Sequence, residues 1–277
     1  MATGVYDDRL LPETRGQMER LIQDKCRICG GEAALFDNAL VLRKYQVSYF
    51  RCEACGFVQT ETPYWLEEAY TSAIASIDVG ILFRNLLNRR ITAALLNVIF
   101  PDAKAILDYG AGHGIFVRLM RDKGYNFFWY DLHATNDYAR GFEHKSGTAY
   151  DLVTAFEVLE HVVDPIPEIE RIISLSPNVF FSTELLPSPP PKVADWWYYA
   201  PLGGQHVALY TAQSLRILAK RYGLHLLSHG PYHLLSRKLH NRVLFRLAMS
   251  QTASHLLGFT RKRRTLLEHD GKFINQV

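Results

Sequence analysis

The stretch AILDYGAGHGIFVRLM, residues 105–120, decides the fold. A short apolar run passes through Asp108, glycines follow at positions 110, 112 and 114, and apolar residues then recur at helical spacing. Glycine allows tight turns and a close approach to a ligand, and the amino end of the helix after it favours negatively charged groups. We therefore predict a strand, a ligand-binding loop and a helix, in that order.

Strands and helices are predicted to alternate along the rest of this region. Further strands are expected at 125–131, 150–157 and 178–184 and twice within 224–237, and helices at 114–124, 165–175 and 211–223. This order indicates the α/β class, with a Rossmann-like parallel sheet covered by helices on both faces. A complete sheet needs one more strand, which we place near residues 139–143.

Asp131 closes the second predicted strand, 21 residues after Gly110. A carboxylate at this position can accept hydrogen bonds from both hydroxyls of a ribose, so the region predicts a nucleotide site. A dinucleotide oxidoreductase usually has the spacing GxGxxG. Here the third glycine comes one residue early and Asp108 precedes the first glycine by two, which gives the form DxGxGxG.

The form DxGxGxG, together with FEVLEH at residues 156–161, resembles the class I S-adenosylmethionine (SAM)-dependent methyltransferases of type 23. The resemblance covers most of residues 100–230 and implies SAM as the cofactor. It also implies a set of cofactor-binding residues, which are Asp108, Gly110, Gly112, Gly114, Asp131 and Glu157. The adenine contact falls near residues 142 and 143 and stays open.

Acids and histidines are expected to meet at the carboxyl ends of the strands, where open α/β sheets place their sites. The candidate catalytic residues are Glu157, Glu160, His161 and His206. Their ExxEH pattern and later histidine resemble the metal-dependent O-methyltransferases of ubiquinone biosynthesis and small-RNA end methylation, which implies a divalent cation such as Mg²⁺ on these side chains. Alternatively, a histidine acts as general base or contacts the substrate, or the cluster is structural.

Four cysteines predict a structural zinc site near the amino end. Cys26, Cys29, Cys52 and Cys55 form two CxxC pairs separated by 22 residues, and a glycine follows the second cysteine of each pair. Each pair can supply two tetrahedral thiolate ligands, and glycine permits the tight turn that brings them together. With all four positions filled by sulfur, we expect the ion to serve folding and not catalysis.

A zinc ribbon before this type of methyltransferase resembles bacterial sugar-modifying enzymes, including deoxysugar C-methyltransferases. Those C-methyltransferases carry a second large carboxyl-terminal domain that this sequence lacks, so we expect O-methylation of a sugar, glycan or lipid-linked glycan. The four aromatic residues WWYY at 196–199 offer flat faces that stack on sugar rings, or they pack the loop onto the sheet. Together with GQH at 204–206, WWYY resembles segments of glycan-cluster methyltransferases, which implies a glycan acceptor. Alternatives are an RNA or small-molecule O-methyltransferase, a sugar C-methyltransferase and a noncatalytic cofactor-binding scaffold.

The carboxyl-terminal third is strongly basic although the net charge is only +3. No Asp or Glu lies between Trp196 and Leu267, and that interval holds eleven Lys or Arg residues. In KLHNRVLFRLAMS, residues 238–250, cations recur every four residues with aliphatic side chains one position on. Such a helix can contact an anionic membrane peripherally, or it packs on its own domain with a solvated basic face. Nucleic acid is the less favoured partner.

The sequence divides into four predicted regions. They are a zinc-ribbon region (1–62) that begins with a leader and short helix, a helical linker or lid (63–100), the SAM-binding domain (101–236) and a basic helical tail (237–277). Tyr70, Asp78 and Arg84 are expected to form a lid over the cofactor. Without a basic region followed by an apolar run at its start, or an apolar stretch of about 20 residues, the chain is expected to be cytoplasmic, with peripheral contact at the inner membrane face.

Overall fold

Strands and helices alternate through the central part of the chain as predicted, in a computed structural model that describes residues 23–70, 79–261 and 263–274. The leader helix and Asp78 of the sequence predictions lie outside these ranges. The helices are α1 (Leu66–Ala69), α2 (Ile81–Val98), α3 (Ile115–Asp122), α4 (Pro165–Leu175), α5 (Ala212–Arg221), α6 (Arg242–Met249), α7 (Ala253–Leu257) and α8 (Leu267–Ile274). None of the described helices is long and apolar enough to cross a membrane.

Two sheets organise the chain, and their strands are numbered together. They are β1 (Gln23–Lys25), β2 (Glu32–Val41), β3 (Tyr45–Cys52), β4 (Val58–Thr60), β5 (Ile106–Tyr109), β6 (Phe127–Tyr130), β7 (Leu152–Phe156), β8 (Asn178–Ser182), β9 (Ala208–Leu209), β10 (His225–His229) and β11 (Tyr232–Ser236). The larger sheet has the order β10-β11-β8-β7-β5-β6. Its strands β6, β5, β7 and β8 are parallel. Strands β10 and β11 form the predicted antiparallel hairpin, and β11 pairs antiparallel with β8.

Helices cover both faces of this sheet, which confirms the predicted fold class. Successive strand residues point to opposite faces, so Ile106 packs with α2, α3 and α6, whereas Leu107 packs with α4 and α5. Thr211 caps the amino end of α5 as expected, because its hydroxyl accepts a hydrogen bond from the Ser214 amide at 3.0 Å.

The prediction of a full third strand near residues 139–143 is wrong. Only a single bridge forms, between Trp129 of β6 and Glu143. The Phe142 amide donates to the Ala139 carbonyl, and Gly141 has a φ of +86°, so the backbone turns where a strand would run straight. Helix α8 packs beside this edge instead, with the Phe273 ring 5.6 Å from the Phe142 ring.

The smaller sheet is the ribbon, with the antiparallel order β1-β2-β3-β4-β9. Its last strand comes from far along the chain: Val58 pairs with Leu209, and Gln59 pairs with Ala208. The ribbon also shares a core with the larger unit, because Cys52 and Phe57 pack in one cluster with Leu215 of α5. The ribbon therefore lies directly on the larger sheet's covering helices.

A buried ion pair fastens α8 to the domain. The Arg121 guanidinium donates to both carboxylate oxygens of Asp270, at 2.8 and 2.7 Å, and both side chains are only 2% exposed. The same guanidinium lies 3.5 Å from the centroid of the Phe142 ring. Removal of one partner leaves the other charge buried and uncompensated, which is strongly destabilising.

We expect Asp270→Ala to lower the free energy of unfolding by about 3 kcal/mol. Urea denaturation followed by circular dichroism measures this change. The control is Glu268→Ala on the same helix, whose pair with Lys272 is about 70% exposed on both sides and is worth at most ~0.5 kcal/mol. Equal effects of the two substitutions would show that α8 is not held by the buried pair.

Candidate active site

The glycine loop between β5 and α3 leaves one face open for a ligand. Gly110, Gly112 and Gly114 have φ values of +71°, +52° and +85°. A Cβ on Gly110 would lie 2.6 Å from Val158, and one on Gly114 would lie 2.8 Å from Asn136, so packing requires glycine at both positions. A Cβ on Gly112 would meet nothing within 4 Å. The backbone at Gly112 is therefore free to be approached by a bound group.

Asp131 lies beside this loop, just after β6. One carboxylate oxygen accepts the Gly112 amide hydrogen at 2.8 Å, and the other accepts the amide hydrogens of His133 and Ala134 at 2.7 and 2.9 Å. The side chain is thus fixed at the carboxyl edge of the sheet, the place where a ribose-binding acid is expected.

Two cavities meet at the glycine loop. The first, of about 790 Å³, is lined by Asp108, His206 and residues of α2 and the aromatic loop 193–203. The second, of about 730 Å³, is lined by Tyr130, Asp131 and Tyr70 among others. Both share the residues Gly110, Gly112, Glu157, His161 and Gln205. A long ligand can therefore extend from one cavity into the other across the loop.

Asp108 is a buried carboxyl in the wall of the first cavity. It is 4% exposed, and the Thr154 hydroxyl donates to it at 2.7 Å. Burial, helped by the charge of Asp131 and opposed by the Thr154 hydrogen bond, raises the pKa of Asp108 to about 7. No sequence pattern pointed to Thr154, which lies on the neighbouring strand β7.

Glu157 lies outside the compact group that the other predicted catalytic residues form. It follows β7 with a φ of +53°, and its carboxylate accepts the Ser182 hydroxyl at 2.7 Å. It does not join the group that could share an ion, in which ligand atoms of Glu160, His161 and His206 all lie within 4.8 Å of one another. Three of the four predicted residues are thus brought together.

Glu160 is a fully buried carboxyl with one partner. The Tyr198 hydroxyl donates to its Oε1 at 2.5 Å, whereas its Oε2 has no hydrogen-bond partner in the part of the chain that the structure describes. Burial and the charge of Glu157 raise the pKa of Glu160 well above its ordinary value.

The two histidines pack edge to face, with ring centroids 4.8 Å apart. The Nδ1 of His206 lies 2.6 Å from the Tyr198 carbonyl oxygen. Since a carbonyl only accepts, Nδ1 carries the proton and Nε2 carries a lone pair. Burial lowers the pKa of His206 to about 4, so the ring is neutral at pH 7. The pKa of His161 is also lowered, by burial and by His206.

Tyr70 connects the predicted lid to this cluster. Its hydroxyl lies 3.0 Å from Nδ1 of His161, and its ring stacks on His133 with centroids 5.8 Å apart. Arg84 lines the first cavity, whereas Tyr70 lines the second. The two residues therefore line different cavities.

Fewer of the four aromatic side chains in the loop are exposed than the WWYY sequence suggests. Tyr198 and Tyr199 are 1% and 0% exposed, and Trp196 packs against both rings. The expectation of four stacking faces is wrong, because these side chains form a core with the ribbon strands. Trp197, 72% exposed, is the one with an open face at the first cavity.

The four cysteine sulfurs form a compact group that fits zinc. The Sγ atoms of Cys26 and Cys55 are 3.5 Å apart, those of Cys29 and Cys52 are 3.4 Å apart, and all four lie within 4.8 Å. Gly30 and Gly56 take positive φ at the two turns, as their positions after cysteine predict. Such a set is suited to a tetrahedral thiolate site with no open position.

A family model described as a methyltransferase domain, Methyltransf_23, matches residues 82–229, more than half of the chain. The chain belongs to this methyltransferase family. The match spans the glycine loop, Asp131 and the acid and histidine cluster. The buried carboxyl of Asp108, the fixed Asp131 and the open face of Gly112 fit SAM, the cofactor that the sequence predicts. No curated protein sequence shows significant similarity to the methyltransferase.

Several solved methyltransferase structures are similar to this chain at low identity. An O-methyltransferase family protein from Burkholderia thailandensis is 18% identical, with a TM-score of 0.42 over 62% of this chain and 66% of that chain, just under two thirds of its length. Human N-acetylserotonin methyltransferase in complex with SAM is 13% identical, with a TM-score of 0.41 over 63% and 66%. Magnesium protoporphyrin IX methyltransferase from Synechocystis PCC 6803 is 13% identical, with a TM-score of 0.43 over 61% and 90%.

SAM binding to the methyltransferase should strengthen with pH. In the role that the sequence predicts for it, Asp108 holds the cofactor's ammonium group as a carboxylate. Below pH 7 the carboxyl is mostly neutral, so that binding must first remove its proton. We expect the dissociation constant to fall by about 20-fold between pH 5.5 and 7.5 and then to level off. Calorimetry at several pH values measures this, and Asp108→Asn should remove the dependence. A flat profile in the wild type would contradict the assignment of Asp108 to the cofactor.

Proposed function

We propose that this methyltransferase transfers the methyl group of SAM to a hydroxyl of a sugar or glycoconjugate, with His206 as general base. The proposal rests on the protonation state and position of His206. Its Nδ1 is committed to the Tyr198 carbonyl at 2.6 Å, its ring is neutral, and it lines the first cavity beside the glycine loop. The remaining lone pair on Nε2 is available to a proton of the acceptor.

The glycine loop and two aspartates hold the cofactor in this proposal. Asp131 accepts the ribose hydroxyls in the second cavity, and Asp108 with the loop glycines holds the methionyl end at the first. Glu157 lies where the two cavities meet and completes this wall. When bound, SAM supplies an electrophilic methyl group on a sulfonium centre.

His206 acts when the acceptor hydroxyl attacks that methyl group. An O–CH₃ bond forms as the S–CH₃ bond breaks, and the oxygen becomes strongly acidic as its charge turns positive. Nε2 of His206 takes the released proton and later passes it to water. A weak base is sufficient here because the proton becomes acidic only in the transition state.

The opposite wall of the first cavity has groups that suit a sugar. Trp197 presents an open aromatic face at the mouth, and the lining also includes Asn85, Asn88 and Asp195. A flat apolar surface beside several amide and carboxylate groups is the chemistry that stacks on a pyranose ring and hydrogen-bonds its hydroxyls. A small apolar acceptor would leave these polar groups unused.

A divalent cation is the second candidate for activating the acceptor. It is favoured by one observation, the unpartnered Oε2 of Glu160 close to His161 and His206. An ion there would lower the pKa of a bound hydroxyl. We rank the cation second because Glu160, a buried carboxyl with a raised pKa, would have to ionise to bind it.

An acceptor screen tests the proposed function. Nucleotide sugars, glycan oligomers, lipid-linked glycans and RNA are incubated with methyl-labelled SAM, and the products are analysed for methyl ethers. We expect label on a sugar hydroxyl, at a rate that a chelator does not change as long as the zinc content of the protein stays constant. Activity that disappears with chelator at constant zinc content, and that returns with Mg²⁺ or Mn²⁺, would replace His206 by the cation. Label on a carbon atom or on RNA alone would overturn the proposed acceptor.

A further inference from the structure

Helix α6 is fixed on the domain by one side only. Phe245, Ala248 and Met249 are buried and belong to the core that α2 and α3 share with the sheet. The Phe245 ring is edge-on to Phe180 of β8 at 6.5 Å. At 100° per residue these three positions occupy one side of the helix. This packing agrees with the prediction that the tail helix rests on its own domain.

The opposite side of α6 is apolar, although it faces water. Val243 and Leu247 lie opposite the buried residues and are 65% and 42% exposed. Leu239, four residues earlier, is 73% exposed, and Leu256 of the adjacent α7 is 75% exposed. A surface helix normally carries polar residues on the side away from the core. Among the residues that the structure describes, none covers the aliphatic row on that side.

Exposed cations flank this row. Lys238, Arg242 and Arg246 recur at the same spacing of four, and none of them forms an ion pair with any residue that the structure describes. No acidic residue occurs between Trp196 and Leu267, so nothing acidic in that interval neutralises them. An aliphatic row bordered by cations has the chemistry that inserts at the interface of an anionic bilayer.

We propose that this face, formed by Lys238, Leu239, Arg242, Val243, Arg246 and Leu247, attaches the protein peripherally to anionic lipid. Phosphates of a nucleic acid would satisfy the cations but would leave the aliphatic row against a polar backbone. A second copy of the chain docked on the same face would bring like charges together. A lipid interface satisfies both parts of the face, because headgroups meet the cations and acyl chains meet the aliphatic side chains.

The proposal does not depend on the acceptor or on the catalytic residues. Four of the six residues lie on α6, whereas Lys238 and Leu239 lie in the segment just before it, because the helix begins at Arg242 and not at Lys238 as the sequence predicts. None of the six lines either cavity. Lipid binding and methyl transfer are therefore separable in experiment.

Vesicle co-sedimentation of the full chain tests the proposal. Vesicles of phosphatidylcholine with 30% phosphatidylserine are compared with pure phosphatidylcholine at low and high salt. We expect binding only to the anionic vesicles, weakened by salt. The triple variant Lys238→Gln, Arg242→Gln, Arg246→Gln should bind about 100-fold more weakly, since each cation near the surface is worth about fivefold. Val243→Ser with Leu247→Ser should also weaken binding, at unchanged thermal stability.

A matched control removes three cations elsewhere. Arg216→Gln, Lys220→Gln and Arg221→Gln on α5 change the net charge equally and are exposed. This control should bind like the wild type. The proposal is overturned if anionic vesicles do not bind, if the control loses as much affinity, or if the serine variant binds unchanged. Salt-sensitive RNA binding without vesicle binding, or self-association that the serine variant abolishes, would assign the face to those partners instead.

Discussion

Removal of the His206 imidazole should lower kcat for methyl transfer by about 10²–10⁴-fold while SAM affinity stays within about twofold, the range attributed to a general base. His206→Asn is the sharpest variant, because its amide can still donate to the Tyr198 carbonyl in place of Nδ1 but has no group at Nε2. Rates at saturating SAM and acceptor, with calorimetry for SAM, give both quantities.

The pH profile provides an independent check on the same residue. Burial lowers the pKa of His206 to about 4, so the neutral, base-competent form is present above that value and is lost as the pH falls through it. At saturating SAM, kcat/KM for the acceptor should be constant from pH 6 upward and decline only below about pH 5. An acid limb near pH 6.5, or wild-type rates in His206→Asn, would remove His206 from the role of base.

Loss of zinc should destabilise the protein and impair catalysis at a distance. Cys52→Ser removes a buried ligand of the four-sulfur group, and structural zinc contributes directly to folding free energy. With a loss of about 5 kcal/mol, the Tm should fall by about 10 °C or more. Metal content by mass spectrometry and a thermal melt measure the two effects.

The catalytic effect follows from the way the ribbon holds the strand after His206. Ala208 of β9 pairs with Gln59 of β4, the Thr60 amide donates to the Val207 carbonyl at 3.1 Å, and the Val207 amide donates to the Glu160 carbonyl at 2.8 Å. A loosened ribbon should therefore lower kcat more than it weakens SAM binding. Glu53→Gln, exposed and adjacent in sequence, is the control. An unchanged Tm in zinc-free Cys52→Ser would show that the ribbon folds without metal.

Local patterns were sufficient to predict the strand and helix order of the central domain. Each of the runs at Ile106, Phe127, Leu152 and Asn178 is a short apolar segment bounded by turn residues, and a parallel sheet needs little more. The grouping of the four cysteines was equally predictable, because their spacing is local within each pair. The glycine loop, Asp131 and the two histidines also lie at one edge of the sheet as predicted, since the carboxyl ends of parallel strands lie together.

Features that depend on contacts between distant parts of the chain could not be predicted from local patterns. Strand β9 has two residues, and its partner in the ribbon lies about 150 positions away in sequence, so no periodicity reveals it. The burial of Tyr198 and its hydrogen bond to Glu160 depend on that packing. The missing third strand reflects the turn at Gly141 and the cover provided by α8, whose Asp270 meets Arg121 only in the folded chain.

SAM affinity with and without the Asp131 carboxylate tests most directly whether Asp131 and the glycine loop hold the cofactor. Asp131→Asn should weaken SAM binding at pH 7.5 by about tenfold or more, since a hydrogen bond to a charged group contributes about 1.5–3 kcal/mol. Asp122→Asn, at the exposed end of α3, should match the wild type. Calorimetric titration of the three proteins decides the matter: loss confined to Asp131→Asn is the predicted result, and equal affinity in all three, or no binding by the wild type, would contradict the account.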